Sequence, residues 1–281
     1  MTKLDSPSPQ TILKRVEEVD QLPSIPSVAV QIVSLIRGEG GTLDDLVDIL
    51  EQDPALSAKL LRVVNSARYS LRTPCKTVRH AAMMLGTKRV STIALSFSLI
   101  RQQSERGTFD YAQIWKRSLI AGVAAQVLGR ELDLSGDSAL FTLGLIQDLG
   151  MAALADIVSD YQSLIDTAGP SNQKLAALER DELGVDHARV GSHLLQGWSL
   201  PPVFCWAALG SHEPAIVEDE IDEPADGLDS VRSIHLASLI ADVFSSGQYD
   251  DSDAAEDSLA LAGERARAYF DLDRSSLSEV I

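Results

Sequence analysis

Apolar residues recur at helical spacing along most of the chain, and this pattern most constrains the fold. The run after Pro54 shows it, with four apolar residues on one helical face: Leu56, Leu60, Val63 and Val64. Helix start and stop signals bracket such runs, because Asp53 precedes Pro54 and Gly86 follows a run that ends at Leu85. Alternating apolar and polar residues, the signal of a strand, do not recur. The chain is therefore predicted to be all-α.

The same signals predict a succession of helices. Thr42 is a predicted N-cap, and the predicted helices cover residues 43–50, 54–64, 77–85, 88–100, 110–132, 138–157, 172–183, 186–196, 201–209, 230–244 and 254–270. Residues 213–229 contain eight acids and no base, and they are predicted to form a loop.

Composition and termini limit the class of protein. With 281 residues, 45% of them hydrophobic, the chain can bury a sizeable core. The two cysteines, Cys75 and Cys205, are far apart and fit neither a disulfide framework nor a zinc ribbon. The first residues lack a signal-peptide core, and we expect no membrane span because no uninterrupted apolar run reaches about 18 residues. We expect a cytoplasmic protein that has no membrane partner.

The charge is unevenly distributed. The chain carries −17 overall, yet residues 59–130 contain thirteen bases and two acids, a local net charge of +11. Strong overall acidity argues against non-specific nucleic-acid binding. The basic segment has two interpretations: solvated helix faces that pair with acids elsewhere, or a surface for an anionic ligand or a partner.

Sequence motifs of common catalytic sites are absent, which leaves histidines and carboxylates as candidates. The five histidines are His80, His187, His193, His212 and His235. His187 and His193 are separated by about 120° around one helix, so they are not expected to share a metal ion. The three tryptophans, Trp115, Trp198 and Trp206, are interpreted as packing residues rather than as ligand-stacking ones.

Several separated blocks resemble one family. In order they read LPSIPSV, QDPALSAKLLRVVNSARYS, VRHAAMMLGTKRV, IWKRSLIAG, GLIQDLG, GVDHARVGSHLLQGWSLPPVFCWAALGSHEP and IHLASLIAD. Together they are similar to the HDOD family, whose members resemble the HD and HD-GYP metal-dependent phosphohydrolases. The resemblance covers residues 12–246. It implies an N-terminal helical bundle (12–105) packed on an HD-like helical core (106–246), followed by a C-terminal linker and helix (247–281).

The resemblance also identifies the positions where the catalytic relatives hold their metal. In this chain those positions are Arg117, Gln147, Asp148, His187, His212 and Ser238. Arginine offers no lone pair, and a glutamine carbonyl is a weak ligand for transition metals. We therefore expect neither a metal, nor another cofactor, nor a catalytic residue.

A specific contact follows from these positions. We expect Arg117 to pair with Asp148, so that the guanidinium takes the place of a metal and joins two core helices. The alternative is that Asp148 caps a helix or binds a neighbouring backbone amide.

The block NSARYS contributes a candidate interaction surface made of Arg62, Asn65, Ser66, Arg68 and Arg72. The simpler interpretation of Asn65 and Ser66 is a turn that ends a helix.

The family resemblance implies a non-catalytic bacterial signalling protein. It would act as an output or scaffold module through contacts with regulatory proteins, in stress, motility or cyclic-dinucleotide-linked regulation. Two alternatives stay open: a divergent HD-type phosphohydrolase acting on a nucleotide or cyclic dinucleotide, and a module that binds an anionic ligand or nucleic acid through residues 59–130. The sequence does not identify the partner, the signal or the oligomeric state.

Overall fold

Helices form all the regular structure in the described part of the chain, which confirms the all-α prediction. The computed structural model describes residues 7–19, 28, 31–32, 35, 42–66, 71–87, 89–90, 109, 111–134, 137–218, 221, 226–245 and 253–270. Its helices are α1 (Pro9–Glu17), α2 (Leu43–Leu50), α3 (Pro54–Asn65), α4 (Val78–Leu85), α5 (Tyr111–Glu131), α6 (Asp137–Ile146), α7 (Leu149–Ile157), α8 (Tyr161–Ala168), α9 (Asn172–Leu183), α10 (His187–Gly197), α11 (Pro202–Leu209), α12 (Ala215–Glu218), α13 (Asp226–Ser245) and α14 (Asp253–Phe270).

The predicted caps set the N-terminal helix boundaries. Thr42 Oγ1 accepts a hydrogen bond from Asp45 N at 3.1 Å, and the Asp45 carboxylate accepts one from Thr42 N at 2.9 Å. This reciprocal pair satisfies two amides that helix formation leaves open. Asp53 Oδ1 accepts from Leu56 N at 3.1 Å and begins α3. Gly86 ends α4 with φ of 75°, a conformation that favours glycine.

The long helix α5 organises the core. It packs against α6 and α13, while α10 packs against α7 and α11. From the N-terminal region, α3 contacts both α5 and α6, and α1 packs against α7 and α10. Residues from α5, α7, α10 and α13 therefore meet inside the protein. The division at residue 105 stays a prediction.

The helix predicted for residues 138–157 is wrong as a single element. The chain turns at Gln147 and Asp148 and continues as α7, with Met151 N donating to Asp148 O at 3.0 Å. Within the described ranges, the stretch Ala139–Ile157 is long and apolar enough to cross a membrane, but 78% of it is buried inside the protein. That burial is typical of a core element. The turn places the two polar residues where helices α5, α7 and α10 come together.

One helix was missed, one predicted loop needs correction, and one predicted helix lies almost wholly outside the described residues. Helix α8 was not predicted. The acidic segment predicted as a loop is partly helical, because α12 lies within it and α13 begins at Asp226 rather than at residue 230. The predicted helix 88–100 lies outside the described residues except at residues 89 and 90.

Candidate functional site

A buried arginine lies at the centre of the first part of the site. Arg117, on α5, donates through Nη1 to Asp148 Oδ2. Its Nη2 donates to Asp242 Oδ1 at 2.6 Å, to Ser238 Oγ at 3.0 Å and to Ser238 O at 3.1 Å. We call Arg117, Asp148, Ser238 and Asp242 the arginine cluster. It joins α5, the turn before α7, and α13, and it contains the predicted pair between Arg117 and Asp148.

The arginine cluster is almost completely removed from solvent. Arg117, Asp148 and Asp242 have relative exposures of 5%, 0% and 3%. Burial alone lowers the pKa of Arg117, but Asp148 and Asp242 outweigh it and the pKa is raised. The guanidinium therefore stays charged. Asp148 stands at the N-cap position of α7, but its side chain makes no capping hydrogen bond, so the alternative role proposed for it is not observed.

Two histidines form the second part of the site. His187 begins α10, and its Nε2 lies 2.7 Å from Nε2 of His212. On its other side, His187 Nδ1 lies 2.6 Å from Glu179 Oε2, which also accepts from the His187 backbone amide at 2.7 Å. Tyr161, on α8, donates its hydroxyl to Glu179 Oε1. We call Tyr161, Glu179, His187 and His212 the histidine cluster.

The protonation states of the two histidines follow from their neighbours. Burial lowers the pKa of His187, but Glu179 and then Asp148 overcome that effect, so the pKa is raised above 6.5. Burial and the nearby positive charges of His187 and Arg117 hold the pKa of His212 well below 6.5. Below its folded pKa, His187 carries a proton on both ring nitrogens and is the donor between the two rings. Neutral His212 then carries its proton on Nδ1, which lies 3.5 Å from Ser238 Oγ.

These pKa shifts predict how stability varies with pH. The raised pKa of His187 means that its stabilising contribution is complete below pH 6.5 and is lost as pH rises through the folded pKa. The lowered pKa of His212 has the opposite effect, because its contribution is present above pH 6.5 and is lost as pH falls through the folded pKa. Substituting Glu179→Gln removes the main cause of the His187 shift, so it is expected to reduce the loss of stability above pH 6.5. Urea unfolding at pH 6.5 and at higher pH measures this, and equal pH slopes in both proteins would contradict it.

Asp148, His187 and His212 could in principle hold a metal ion, since one ligand atom from each lies within 4.8 Å of the others. Two histidine ligands on a tetrahedral zinc would be roughly 3.3 Å apart, whereas the two Nε2 atoms lie at a hydrogen-bond distance of 2.7 Å. One of those nitrogens must carry a proton. Arg117 already engages Asp148 Oδ2 and adds a fixed positive charge. As placed, these residues fit an internal hydrogen-bond network and do not fit a metal ion.

The structure thus places five of the six carried-over positions in contact through the two clusters. The sixth, Gln147, is buried, and its amide nitrogen and oxygen have no hydrogen-bond partner among the described residues. Asp148 Oδ1 likewise has no hydrogen-bond partner there, although His187 Nε2 lies 3.9 Å away and His212 Nε2 4.0 Å away.

Sequence reasoning missed three members of the site. Asp242 follows Ser238 by four positions, which places both on one face of α13, and an acid within a largely apolar helix was the available signal. Glu179 and Tyr161 carried no comparable signal, because Glu179 lies in a charged segment and α8 itself was not predicted.

Some side chains of the candidate interaction surface are engaged in hydrogen bonds within the protein. The Asn65 amide donates to Leu61 O and Cys75 O, and its oxygen accepts from Cys75 N at 2.8 Å, so this side chain closes a turn. Ser66 Oγ donates to Val63 O at 2.7 Å. Arg72 is exposed, and Arg68 lies outside the described residues. A role for this segment in recognition stays a prediction.

Several bases of segment 59–130 are engaged within the protein. Lys59 and Arg117 are buried, Arg79 pairs with Asp44, and the Arg62 guanidinium lies 5.3 Å from the centre of the Trp198 ring. These bases contribute less to an anion-binding surface than their number in the sequence indicates.

Comparisons with known proteins agree with this architecture. The family model of the HDOD domain matches residues 22–214. A solved structure from Methylococcus capsulatus, the MmoQ response regulator, is 30% identical, covers 93% of this chain and 98% of its own, and superposes with a TM-score of 0.70. A structure from Campylobacter jejuni, described as a virulence factor, is 18% identical with 96% coverage of both chains and a TM-score of 0.67. At that identity the second likeness shows the fold alone.

A curated relative is longer. An uncharacterized protein from Treponema pallidum is 26% identical over 190 residues, which is 66% of this chain. The match spans only 36% of that relative.

Proposed function

Since this chain belongs to the HDOD family, we propose that it is a non-catalytic signalling module that acts through contacts with other proteins. One observation carries the proposal: the Arg117 guanidinium binds the carboxylates of Asp148 and Asp242, where a catalytic relative needs electron-pair donors for its metal. A buried arginine cannot deprotonate, so it can neither bind a metal nor activate a water. The likeness to a response regulator supports a role in signalling.

We expect the purified protein to hold far less than one equivalent of transition metal and to hydrolyse no phosphodiester. The test restores the missing ligands, because the double variant R117H/Q147H offers two imidazoles beside Asp148, His187 and His212. Zinc and manganese are measured by mass spectrometry and by titration calorimetry. The variant is expected to bind metal more tightly than the parent, since it exchanges a fixed cation and a neutral amide for neutral imidazoles.

Metal-dependent hydrolysis by the unmodified protein would overturn the non-catalytic assignment. Stoichiometric metal in the unmodified protein, together with manganese-dependent turnover that Asp148→Ala abolishes, would identify a phosphohydrolase. One observation favours this second candidate: His187 Nδ1 lies 2.6 Å from Glu179 Oε2, and metal-binding histidines commonly have a carboxylate partner of this kind.

Protein contacts are tested separately. Partners captured from the native host with the unmodified chain are compared with those captured by Arg72→Glu, and by Arg267→Glu as a control on α14; both side chains are exposed. Loss of a partner with Arg72→Glu alone supports recognition through the segment that follows α3. Equal capture by all three proteins would remove that segment from the proposal, and binding that instead weakens steadily with salt would favour a nucleic acid.

A further inference from the structure

An open cleft lies on the outer face of the α10–α11 helix pair, away from both clusters. Its volume is about 350 Å³, within the range of small-molecule sites. One wall comes from a single face of α10, formed by residues at positions i, i+3, i+4 and i+7: Arg189, Ser192, His193 and Gln196. Leu13 of α1 and Leu200 also line the cleft. The proposed function uses none of these residues.

The α10 wall presents polar groups that the fold does not use. The side chains of Arg189, Ser192 and Gln196 make no hydrogen bond or ion pair with any other described residue. Two acids that contact this wall already have partners: Glu17 Oε1 lies 3.2 Å from His193 Nε2, and Asp186, which accepts from the Arg189 backbone amide, pairs with Arg180. Arg189 therefore supplies an available positive charge at the cleft, and its planar guanidinium suits a carboxylate, sulfonate or phosphate.

The α11 wall is apolar and carries an aromatic ring. Cys205, Trp206 and Leu209 line it, each of them half-buried. Burial raises the pKa of Cys205 to about 11, so its thiol is neutral at physiological pH. The start of α13 supports the ring of Trp206, because a Cβ atom on Gly227 would lie 3.7 Å from it. The other two tryptophans, Trp115 and Trp198, are buried in the core, so Trp206 is the tryptophan of the three that lines this cleft.

We propose that this cleft binds a small organic anion with a flat apolar body. The apolar body would lie on Trp206 and Leu209, and the anionic group would accept hydrogen bonds from Arg189, with Ser192 and Gln196 beside it. Such a ligand would bridge α10, which begins with His187, and α11, which ends three residues before His212. Anion binding in this cleft is proposed whether or not the protein has catalytic activity.

The test uses 8-anilinonaphthalene-1-sulfonate, an aromatic anion, with N-phenyl-1-naphthylamine as the same ring system without the sulfonate. The indole N–H signals of the three tryptophans are followed by NMR, and Trp206→Phe assigns the one in the cleft. We expect saturable binding of the sulfonate that shifts the Trp206 signal. Arg189→Gln is expected to weaken sulfonate binding about tenfold, the loss of one charge-assisted contact, and to leave binding of the uncharged compound unchanged.

Two further variants distinguish binding in this cleft from binding to other apolar surfaces of the protein. Ser192→Phe places a large side chain in the α10 wall and is expected to abolish the Trp206 shift for both compounds. Arg130→Gln, an exposed arginine at the end of α5, is expected to change nothing. Circular dichroism checks that each variant is folded. Sulfonate binding that leaves the Trp206 signal in place, or that is equally strong in Arg189→Gln, would overturn the proposal.

Discussion

Replacing Arg117 with methionine is expected to lower the free energy of unfolding by about 3–5 kcal/mol, the usual cost of breaking a buried ion pair. The substitution removes the partner of both Asp148 and Asp242, which are almost completely buried. Methionine is close to arginine in length and adds no charge, so lost packing contributes little. Urea unfolding of the two proteins at neutral pH measures the difference.

Two controls separate charge from packing in this experiment. The triple variant R117M/D148N/D242N removes the charges together, and it is expected to recover part of the lost stability, because no uncompensated buried charge is left. Arg79→Met breaks the exposed pair with Asp44 and is expected to cost less than about 1 kcal/mol. If R117M and Arg79→Met had equal effects, Arg117 would not be the structural centre of the site.

Replacing Gly150 with alanine is expected to destabilise the protein by about 3 kcal/mol or more, the upper end of overpacking effects. A Cβ atom at this position would lie 1.9 Å from His187 O and 2.6 Å from Gly191 N. Both contacts are with backbone atoms, so no side-chain rotation relieves them. The helices α7 and α10 would have to move apart, and with them Asp148 and His187. Thermal and urea unfolding measure the loss.

Gly197 is the matched control for this substitution. It ends α10, and a Cβ atom there would meet nothing within 4 Å. Gly197→Ala is therefore expected to change stability by no more than roughly 1 kcal/mol, in the stabilising direction, because alanine has less conformational freedom to lose. A large loss in Gly197→Ala, or none in Gly150→Ala, would show that the close approach of α7 and α10 is not required.

Local signals predicted most of the helix boundaries because they act within a few residues. Thr42 and Asp53 cap α2 and α3 through contacts three residues away, and Gly86 ends α4 with its own backbone conformation. The unpredicted helix α8 has a glycine at its end, Gly169 with a φ of 69°, but no N-terminal cap signal. It begins after Asp160, whose φ is 61° and whose side chain makes no capping hydrogen bond.

The break between α6 and α7 depends on contacts distant in the sequence. Residues 138–157 are apolar enough to form one helix, and Gln147 and Asp148 are adjacent polar residues near its middle. The turn there lets Asp148 reach Arg117 and brings Gly150 against the backbone of α10. The residues that contact this turn lie 31 or more positions away, so signals in the neighbouring sequence cannot predict the break.

The candidate site also combines residues that the sequence identifies with residues that only long-range contacts identify. The pair of Arg117 and Asp148 could be predicted because both residues fall on ligand positions implied by the family resemblance. Asp242 and Glu179 fall on none of the carried-over positions. Asp242 is marked only by being an acid in a largely apolar helix, and the contacts of both residues form only when α13 and α9 pack against their partners. Charge compensation in a buried cluster depends on the assembled fold, so the amino-acid sequence predicts only part of it.

The long separation between Arg117 and Asp242, 125 positions, bears on how the protein is made. On the ribosome, α5 is complete well before α13 has been synthesised. Until α13 docks, the guanidinium has Asp148 but lacks Ser238 and Asp242, and burying it with a single partner is costly. We therefore expect the core around α5 to close only when α13 docks on it during folding.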